Sequence, residues 1–254
     1  MKTAIITGAS SGMGRDFVLQ LDKTGEYEEM WVIARREDRL KALAEQTKTP
    51  IKAVSLDLTD AEDIKKYEAL LKEENPDVTM LVNASGYGKF GRYDQIPLDD
   101  CMGMIDLNCK ALVAVTQLTL PYMKEGAKII ELDSLSSFQP VPYLNVYGAT
   151  KAFVLSYSRA LNVELKPRKI QVMAVSPGWV ETEFFDRATK TSETAVTYYN
   201  VVYKSADVVR TALKDLKKGK DLSVHGFQVK AQVLLVKLLP HKLVMKIWMK
   251  QQKH

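Results

Sequence analysis

Thr7-Gly8-Ala9-Ser10-Ser11-Gly12-Met13-Gly14 lies between a short apolar run, residues 3–7, and a helical pattern that begins at residue 13. Glycines at a strand-to-helix turn let the backbone bend sharply and approach a diphosphate, whose charge then rests on free amides at the helix N-terminus. The spacing is GxxxGxG rather than GxGxxG. A bare glycine-rich turn is weak evidence, because many such turns only reverse the chain. The setting between strand and helix is what directs the reading toward a nucleotide. Gly8, Ser10, Ser11, Gly12, Met13 and Gly14 are the contacts expected from it.

The same alternation repeats outward from that turn. Apolar runs rich in β-branched residues at 30–34, 52–56, 79–82, 128–132, 170–175 and 222–225 alternate with helical patterns at 13–24, 36–47, 61–74, 98–123, 148–165 and 206–217. Buried strands alternating with helices specify a parallel sheet covered on both faces. The expected fold is therefore α/β, a Rossmann-type doubly wound parallel sheet of about seven strands in a single domain. Residues 1–225 form its dinucleotide-binding and catalytic body, with no repeat, low-complexity tract or linker inside them. Residues 226–254 differ in character and read as an apolar and basic helical extension packed on the same domain.

Composition narrows the function classes. Apolar residues make up 46% and charged residues 26% of the chain, as in ordinary globular proteins. No apolar stretch is long enough to span a bilayer, and the first residues do not form a secretory signal. The two cysteines, Cys101 and Cys109, fall in one helical pattern about 12 Å apart, too far for a disulfide. Reduced thiols fit a cytoplasmic protein. His225, His241 and His254 show no metal-ligand spacing, so no metal is expected. The net charge of +5 is uneven, because 12 Lys/Arg face 3 Asp/Glu from Tyr203 onward. No nucleic-acid motif accompanies that basic end, and no nucleic-acid partner is expected.

Two positions suggest chemistry by their residue types. The second strand ends at Ala34-Arg35-Arg36, where an acid would hold an adenosine 2′-hydroxyl. Two guanidiniums there suit a 2′-phosphate instead, which points to NADP(H). Tyr147-Gly148-Ala149-Thr150-Lys151 sets a phenol and an ammonium four residues apart, on one helical face. A free phenol is a poor base at neutral pH, and a neighbouring cation favours its ionised form.

Together these motifs give the chain a resemblance to the short-chain dehydrogenase/reductase family. TGxxxGxG, an NNAG-like turn, a serine, YxxxK and a PG segment follow in order between residue 3 and about 182. The resemblance implies a hydride transfer between NADP(H) and a carbonyl or alcohol. It implies that Tyr147 exchanges the proton, Ser134 hydrogen-bonds the substrate oxygen, and Lys151 holds the nicotinamide ribose and tunes the phenol. Asn108 resembles the asparagine that positions a relay water. Asp57 and Leu58 match an adenine-contacting pair, while Pro177, Gly178, Val180 and Thr182 match the segment that cradles the carboxamide. Asn83, Ala84 and Gly86 stand in the NNAG-like turn, which reads Asn83-Ala84-Ser85-Gly86 and lacks the second asparagine.

The substrate is less legible. Tyr87, Phe90, Phe138, Tyr143, Trp179, Phe184, Phe185, Tyr198 and Tyr199 fall in segments expected near the pocket, which suits a lipophilic carbonyl or alcohol such as a steroid or long-chain ketone. Fatty-acyl ketoreduction is the competing chemistry, and a catalytically silent nucleotide-binding sensor is the competing class. Retention of Ser134, Tyr147 and Lys151 favours an enzyme. Lys242, Lys246 and Lys250 beside Leu243, Ile247 and Trp248 form an amphipathic stripe. It suits a helix over the cleft or a dimer partner, with peripheral contact to an anionic membrane as the alternative. A homo-oligomer is expected, although the chain lacks the ending of many tetrameric relatives.

Overall fold

The computed structural model describes residues 1–189 and 195–252. The first half alternates β1 (Lys2–Thr7), α1 (Gly12–Asp22), β2 (Glu29–Ala34), α2 (Glu37–Ala44), β3 (Ile51–Ser55), α3 (Ala61–Glu74) and β4 (Asp77–Asn83). The second continues with α4 (Leu98–Ile105), α5 (Leu112–Thr119), β5 (Met123–Leu132), α6 (Asn145–Glu164) and β6 (Gln171–Val175). Then come β7 (Trp179–Glu181), α7 (Phe184–Thr189), β8 (Val202–Lys204), α8 (Ser205–Lys217), β9 (Leu222–Ser223), α9 (Phe227–Leu238) and α10 (His241–Gln251).

Seven strands form one parallel sheet in the order β3-β2-β1-β4-β5-β6-β9, and β7 pairs with β8 in a separate parallel ribbon. Chain order reverses between β1 and β4, which opens a crevice at the carboxyl ends of those strands. Both faces of the sheet are buried. One packs Ile6, Val32 and Val82 against Phe17, Val18 and Val209; the other packs Ile5, Trp31 and Leu81 against Tyr67, Leu71 and Val115. Such strands must be apolar on both sides, which is why they read as continuous apolar runs.

The helix expected over 98–123 is not one helix. It is α4, a π-helical turn at Asp106–Ala111, α5 and a 3₁₀ turn at Leu120–Tyr122, and β5 already begins at Met123. The cause is tertiary. Asn108 is fully buried, with Oδ1 accepting from Tyr87 N at 3.0 Å and Nδ2 donating to Tyr87 O at 2.9 Å and Thr150 Oγ1 at 3.0 Å. Those bonds hold the widened turn. Pro121 then ends the helical path.

The C-terminal segment folds as two helices broken at Pro240, and both dock on the body. Val229 and Val233 of α9 pack with Val224, Leu135 and Phe138, while Trp248 of α10 joins a cluster containing Met104, Val141 and Tyr147. Gln252 Oε1 accepts from Thr197 N at 2.9 Å. His254 and Lys253 lie outside the described residues.

Candidate active site

The turn after β1 is built by close approach. Gly8 has φ +67°, and a Cβ there would sit 2.7 Å from the backbone of Ala84; a Cβ on Gly14 would sit 2.3 Å from Gly8 O. Neither position accepts a side chain. Thr7 Oγ1 accepts from the amides of Ala84 and Ser85, both at 3.1 Å, which locks the β1 and β4 turns together. Ser11 makes no side-chain cap, and the first turn of α1 carries no acid. Its free amides therefore face the crevice with their positive end unneutralised.

A cavity of about 540 Å³ runs from that turn across the crevice. Gly8, Ser10, Ser11, Gly12, Met13, Gly14, Arg35, Arg36, Asp57, Leu58, Ala84, Gly86 and Thr182 all line it. Arg36 donates to Ser10 Oγ and Ser11 Oγ, each at 3.0 Å, and to Glu183 Oε2 at 3.0 Å. Arg35 pairs with Asp57 across 3.5 Å and remains largely exposed. The donors, glycines and guanidiniums fit a dinucleotide with a phosphorylated adenosine ribose. When bound, that cofactor supplies or accepts a hydride.

A second cavity, about 650 Å³, adjoins the first at Met13, Ala84, Gly86 and Thr182. Ser134, Tyr147, Lys151, Pro177, Gly178 and Val180 line it. α6 begins at Asn145 rather than at residue 148, so Tyr147 and Lys151 sit one turn apart within it. Lys151 is buried and donates to Leu132 O at 2.7 Å, with Nζ 5.9 Å from the Tyr147 ring centroid. Burial pushes its ammonium down, against Asp133, Cys109 and Glu131, which hold it up. Ser134 hydrogen-bonds the Tyr147 phenol. Burial drives that phenol well above its usual range; Ser134 pulls it back and Asp133 pushes it further. Burial dominates this phenol, and the one group that eases it is Ser134 rather than Lys151. An undissociated phenol held beside a serine hydroxyl is arranged to give a proton to a carbonyl oxygen.

Asn83 departs from the expected cofactor contacts. It lines neither cavity, and its Nδ2 donates to Thr116 Oγ1 at 2.9 Å and Glu131 Oε1 at 3.3 Å. It faces Glu131 in register across β4 and β5, so its amide is spent inside the fold. Asn108 is likewise outside both cavities; its side chain bonds the backbone of Tyr87, which lines both, and Thr150 Oγ1 within the Tyr147–Lys151 turn.

Of the aromatic residues expected near the substrate, Tyr87, Trp179, Phe184, Phe185 and Tyr198 line the second cavity. Phe90, Tyr143 and Tyr199 do not line it; they belong to the core cluster around those walls. Phe138 also lies off it, packing with Val229 and Val233. Three residues escaped the sequence reading. Asp133 lies between Leu132 and Ser134 on the cavity wall. Arg187 lines the first cavity with its guanidinium 3.6 Å over the Tyr87 ring, and Glu183 ties Arg36 and Arg39 together. The only signal for Asp133 was an acid adjoining the motif serine; nothing local marked the other two.

A sequence model of the short chain dehydrogenase family matches residues 2–193, and the chain belongs to that family. It is accordingly an oxidoreductase that acts on CH–OH groups with a nicotinamide dinucleotide. Serine 3-dehydrogenase of Rhizobium radiobacter is 36% identical over 187 residues, 72% of this chain and 73% of that protein. A short-chain dehydrogenase from Sphingobium yanoikuyae, solved in complex with NADPH, is 27% identical with a TM-score of 0.80, covering 100% of this chain and 97% of its own. A bulky-bulky ketone specific alcohol dehydrogenase from Comamonas testosteroni is 25% identical with a TM-score of 0.72, covering 100% and 96%.

Proposed function

We propose that this chain is an NADP(H)-preferring reductase and dehydrogenase of lipophilic ketones and secondary alcohols. The observation that carries the reading is the second cavity. Trp179, Phe184, Phe185 and Tyr198 form its walls, Val236, Leu239 and Val244 of the C-terminal helices roof it, and Tyr147 and Lys151 lie at its inner end. Among the described residues that line it, Asp133 and Lys151 are the only charged side chains. Those residues offer a small acid or zwitterion no guanidinium to hold it. A bulky apolar body would fill the space and bury its area against aromatic rings.

Tyr147 gives its proton to the carbonyl oxygen in reduction and takes one from the alcohol in oxidation, with Ser134 fixing that oxygen. Lys151 and the PG segment, Pro177, Gly178, Val180 and Thr182, hold the nicotinamide end. Gly8 to Gly14, with Asp57, Leu58, Ala84 and Gly86, hold the remainder, and Arg35 and Arg36 take the 2′-phosphate. Residues 1–225 act as the catalytic body and residues 226–254 as its cover.

No helix among the described residues is long and apolar enough to cross a membrane. We place the protein in the cytoplasm, in keeping with two free thiols. A homo-oligomer is supported by outward apolar residues on neighbouring helices, Met102 and Ile105 of α4 and Phe153 of α6. On α9, Phe227, Leu234 and Leu238 form an exposed stripe beside Lys230 and Lys237, which suits peripheral contact with an anionic membrane. The deciding experiment measures turnover of small and bulky ketones and alcohols with NADPH and with NADH. Bulky apolar substrates with NADPH are expected to give the highest kcat/KM. Preference for small charged substrates would overturn the reading.

A further inference from the structure

The catalytic end of the second cavity rests on a buried cluster of charge that the hydride chemistry does not itself require. Asp133 extends the β5 ladder by one residue, its amide donating to Val175 O at 2.8 Å. The residue is 1% exposed. Oδ2 accepts from Ser176 Oγ at 2.5 Å and from Ser137 Oγ at 2.8 Å. Oδ1 is buried with no hydrogen-bond partner among the described residues. Two residues back along the strand, Glu131 is also buried, with Oε2 unpartnered. The carbonyl between these two acids, that of Leu132, is the one that accepts from Lys151 Nζ.

A half-satisfied buried carboxyl is costly to ionise, so its charge depends on what faces it. The ionisable groups in this cluster are Lys151 and Tyr147 from α6, Glu131 from β5 and Cys109 from the π-helical turn. From the Ser176 loop and the 3₁₀ turn at Leu135–Phe138 it meets the hydroxyls of Ser176 and Ser137, and the Ser134 backbone amide between them and β5 also favours its ionised form.

We propose that Asp133 is a positioning residue that acts through Lys151 and Tyr147 to set the pH at which the phenol gives up its proton. The proposal rests on the assignment of Tyr147 as the proton-exchanging group. When Asp133 is ionised, its charge balances the Lys151 ammonium and opposes formation of a phenolate nearby. When it is neutral, the ammonium acts on the phenol unopposed. Burial pushes the Asp133 carboxyl up to about 7, with Ser176, Ser137 and Lys151 restraining it, so the change falls in the neutral range. Oxidation, which needs the ionised phenol, is therefore held to higher pH than Lys151 alone would impose.

Asp133→Asn keeps a carbonyl oxygen to accept from Ser137 and Ser176 while removing the charge. In the oxidative direction its kcat/KM profile is expected to start rising at lower pH than wild type, displaced by about one unit. A rate lowered evenly at every pH, with the inflection unmoved, would reduce Asp133 to a brace between two loops and overturn the proposal. Carbon-13 NMR of carboxyl-labelled aspartate in the protein without cofactor gives a second readout. The resonance missing from Asp133→Asn is expected to titrate near neutrality, and at higher pH still in Ser176→Ala, which loses a donor to Oδ2. Titration in the ordinary carboxylate range, or no response to Ser176→Ala, would also overturn it. Absence of turnover with every ketone and alcohol tested would instead fault the functional assignment, and the NMR result would stand apart from it.

Discussion

The indole N–H of Trp248, near the end of the chain, donates to the carbonyl of Pro142 at 3.0 Å. That bond joins α10 to the loop leading into α6, and so couples the roof of the substrate cavity to the helix that carries Tyr147. Trp248→Phe keeps most of the apolar contact and loses a bond worth about 1 kcal/mol. Trp248→Ala also leaves a void, for which buried Trp sites cost about 3–5 kcal/mol when they cannot collapse. KM for a bulky ketone is expected to rise modestly in the first variant and at least about tenfold in the second, as a loss of 1.4 kcal/mol or more would give. KM for a small ketone should change far less. Equal changes for both substrates in steady-state assays would show that the roof does not contact substrate.

Tyr147→Phe removes the proton-bearing oxygen and leaves the ring in its contacts with Phe184. Turnover is expected to fall by about 10²–10⁴, the usual worth of a positioned acid or base. Cofactor affinity, followed by NADPH fluorescence, should stay within a factor of a few. A variant that retains wild-type turnover would require another proton donor.

Ala34→Asp with Arg35→Ala brings a carboxylate to the end of β2 and removes the exposed guanidinium beside Asp57. Affinity for NADPH should fall and that for NADH should rise, because the acid repels a 2′-phosphate and accepts from a free 2′-hydroxyl. Titration of wild type with both cofactors comes first. A wild type that already prefers NADH would overturn the assignment of Arg35 and Arg36.

Burial pushes Glu131 up to about 8, although Thr116 and Asn83 hydrogen-bond it. The folded protein therefore holds this proton over a pH range in which the unfolded chain, with the ordinary carboxyl value of 4.5, has released it. Folded stability from this group is fully present at acid pH and is lost as pH rises toward about 8. Asp133 adds a loss of the same sign that ends near 7. Glu131→Gln cannot titrate, so its Tm should decline less than that of wild type between pH 5 and pH 8. Each 1 kcal/mol of this linkage corresponds to about 2–4 °C in a domain of this size. Parallel Tm curves in calorimetry would show that Glu131 ionises normally.

Leu234 and Leu238 on α9 are 61% and 73% exposed and line neither cavity. Leu234→Ser with Leu238→Ser should weaken co-sedimentation with phosphatidylglycerol vesicles and leave kcat/KM for a soluble ketone intact. Wild-type binding should also fall steeply with salt, since lysine attraction is screened over about 8 Å at physiological ionic strength. Failure of wild type to bind these vesicles at low salt would exclude the membrane contact and leave a second subunit as the occupant of this face.

Much of this fold was readable because both-sided burial leaves a plain record. Ile5, Ile6, Val32 and Val82 are apolar on each face, and every such run became a strand. The helix over 98–123 was misread because its interruption is not local. Nothing near Asn108 breaks a helix outright; the Tyr87 backbone and Thr150, both distant in sequence, hold the π turn. The ribbon of β7 and β8 pairs three residues with three, too few for a period to show. The site divides the same way. Glycine spacing and the Tyr147–Lys151 interval are local and were legible. Arg187 enters the cofactor cavity only because α7 crosses Tyr87, and Asp133 looked like any polar residue ending a strand.

The π turn at Asp106–Ala111 also has a consequence for phase. One extra residue in a helical path rotates everything after it by about 100° relative to a regular helix. α4 can thus turn Met102 and Ile105 outward while α5, a few residues on, turns Val115 and Thr116 onto the sheet. Removing one residue from this turn would let the two segments run on as a single straight helix. Either the outward surface or the sheet contact would then be misaligned. Asn108 would swing away from Tyr87, and the strand-end loop over the cofactor crevice would lose its anchor, though no residue in either cavity had been changed. Here the register of a helix acts as the gauge of an active site that it borders through Gly103 and Leu107.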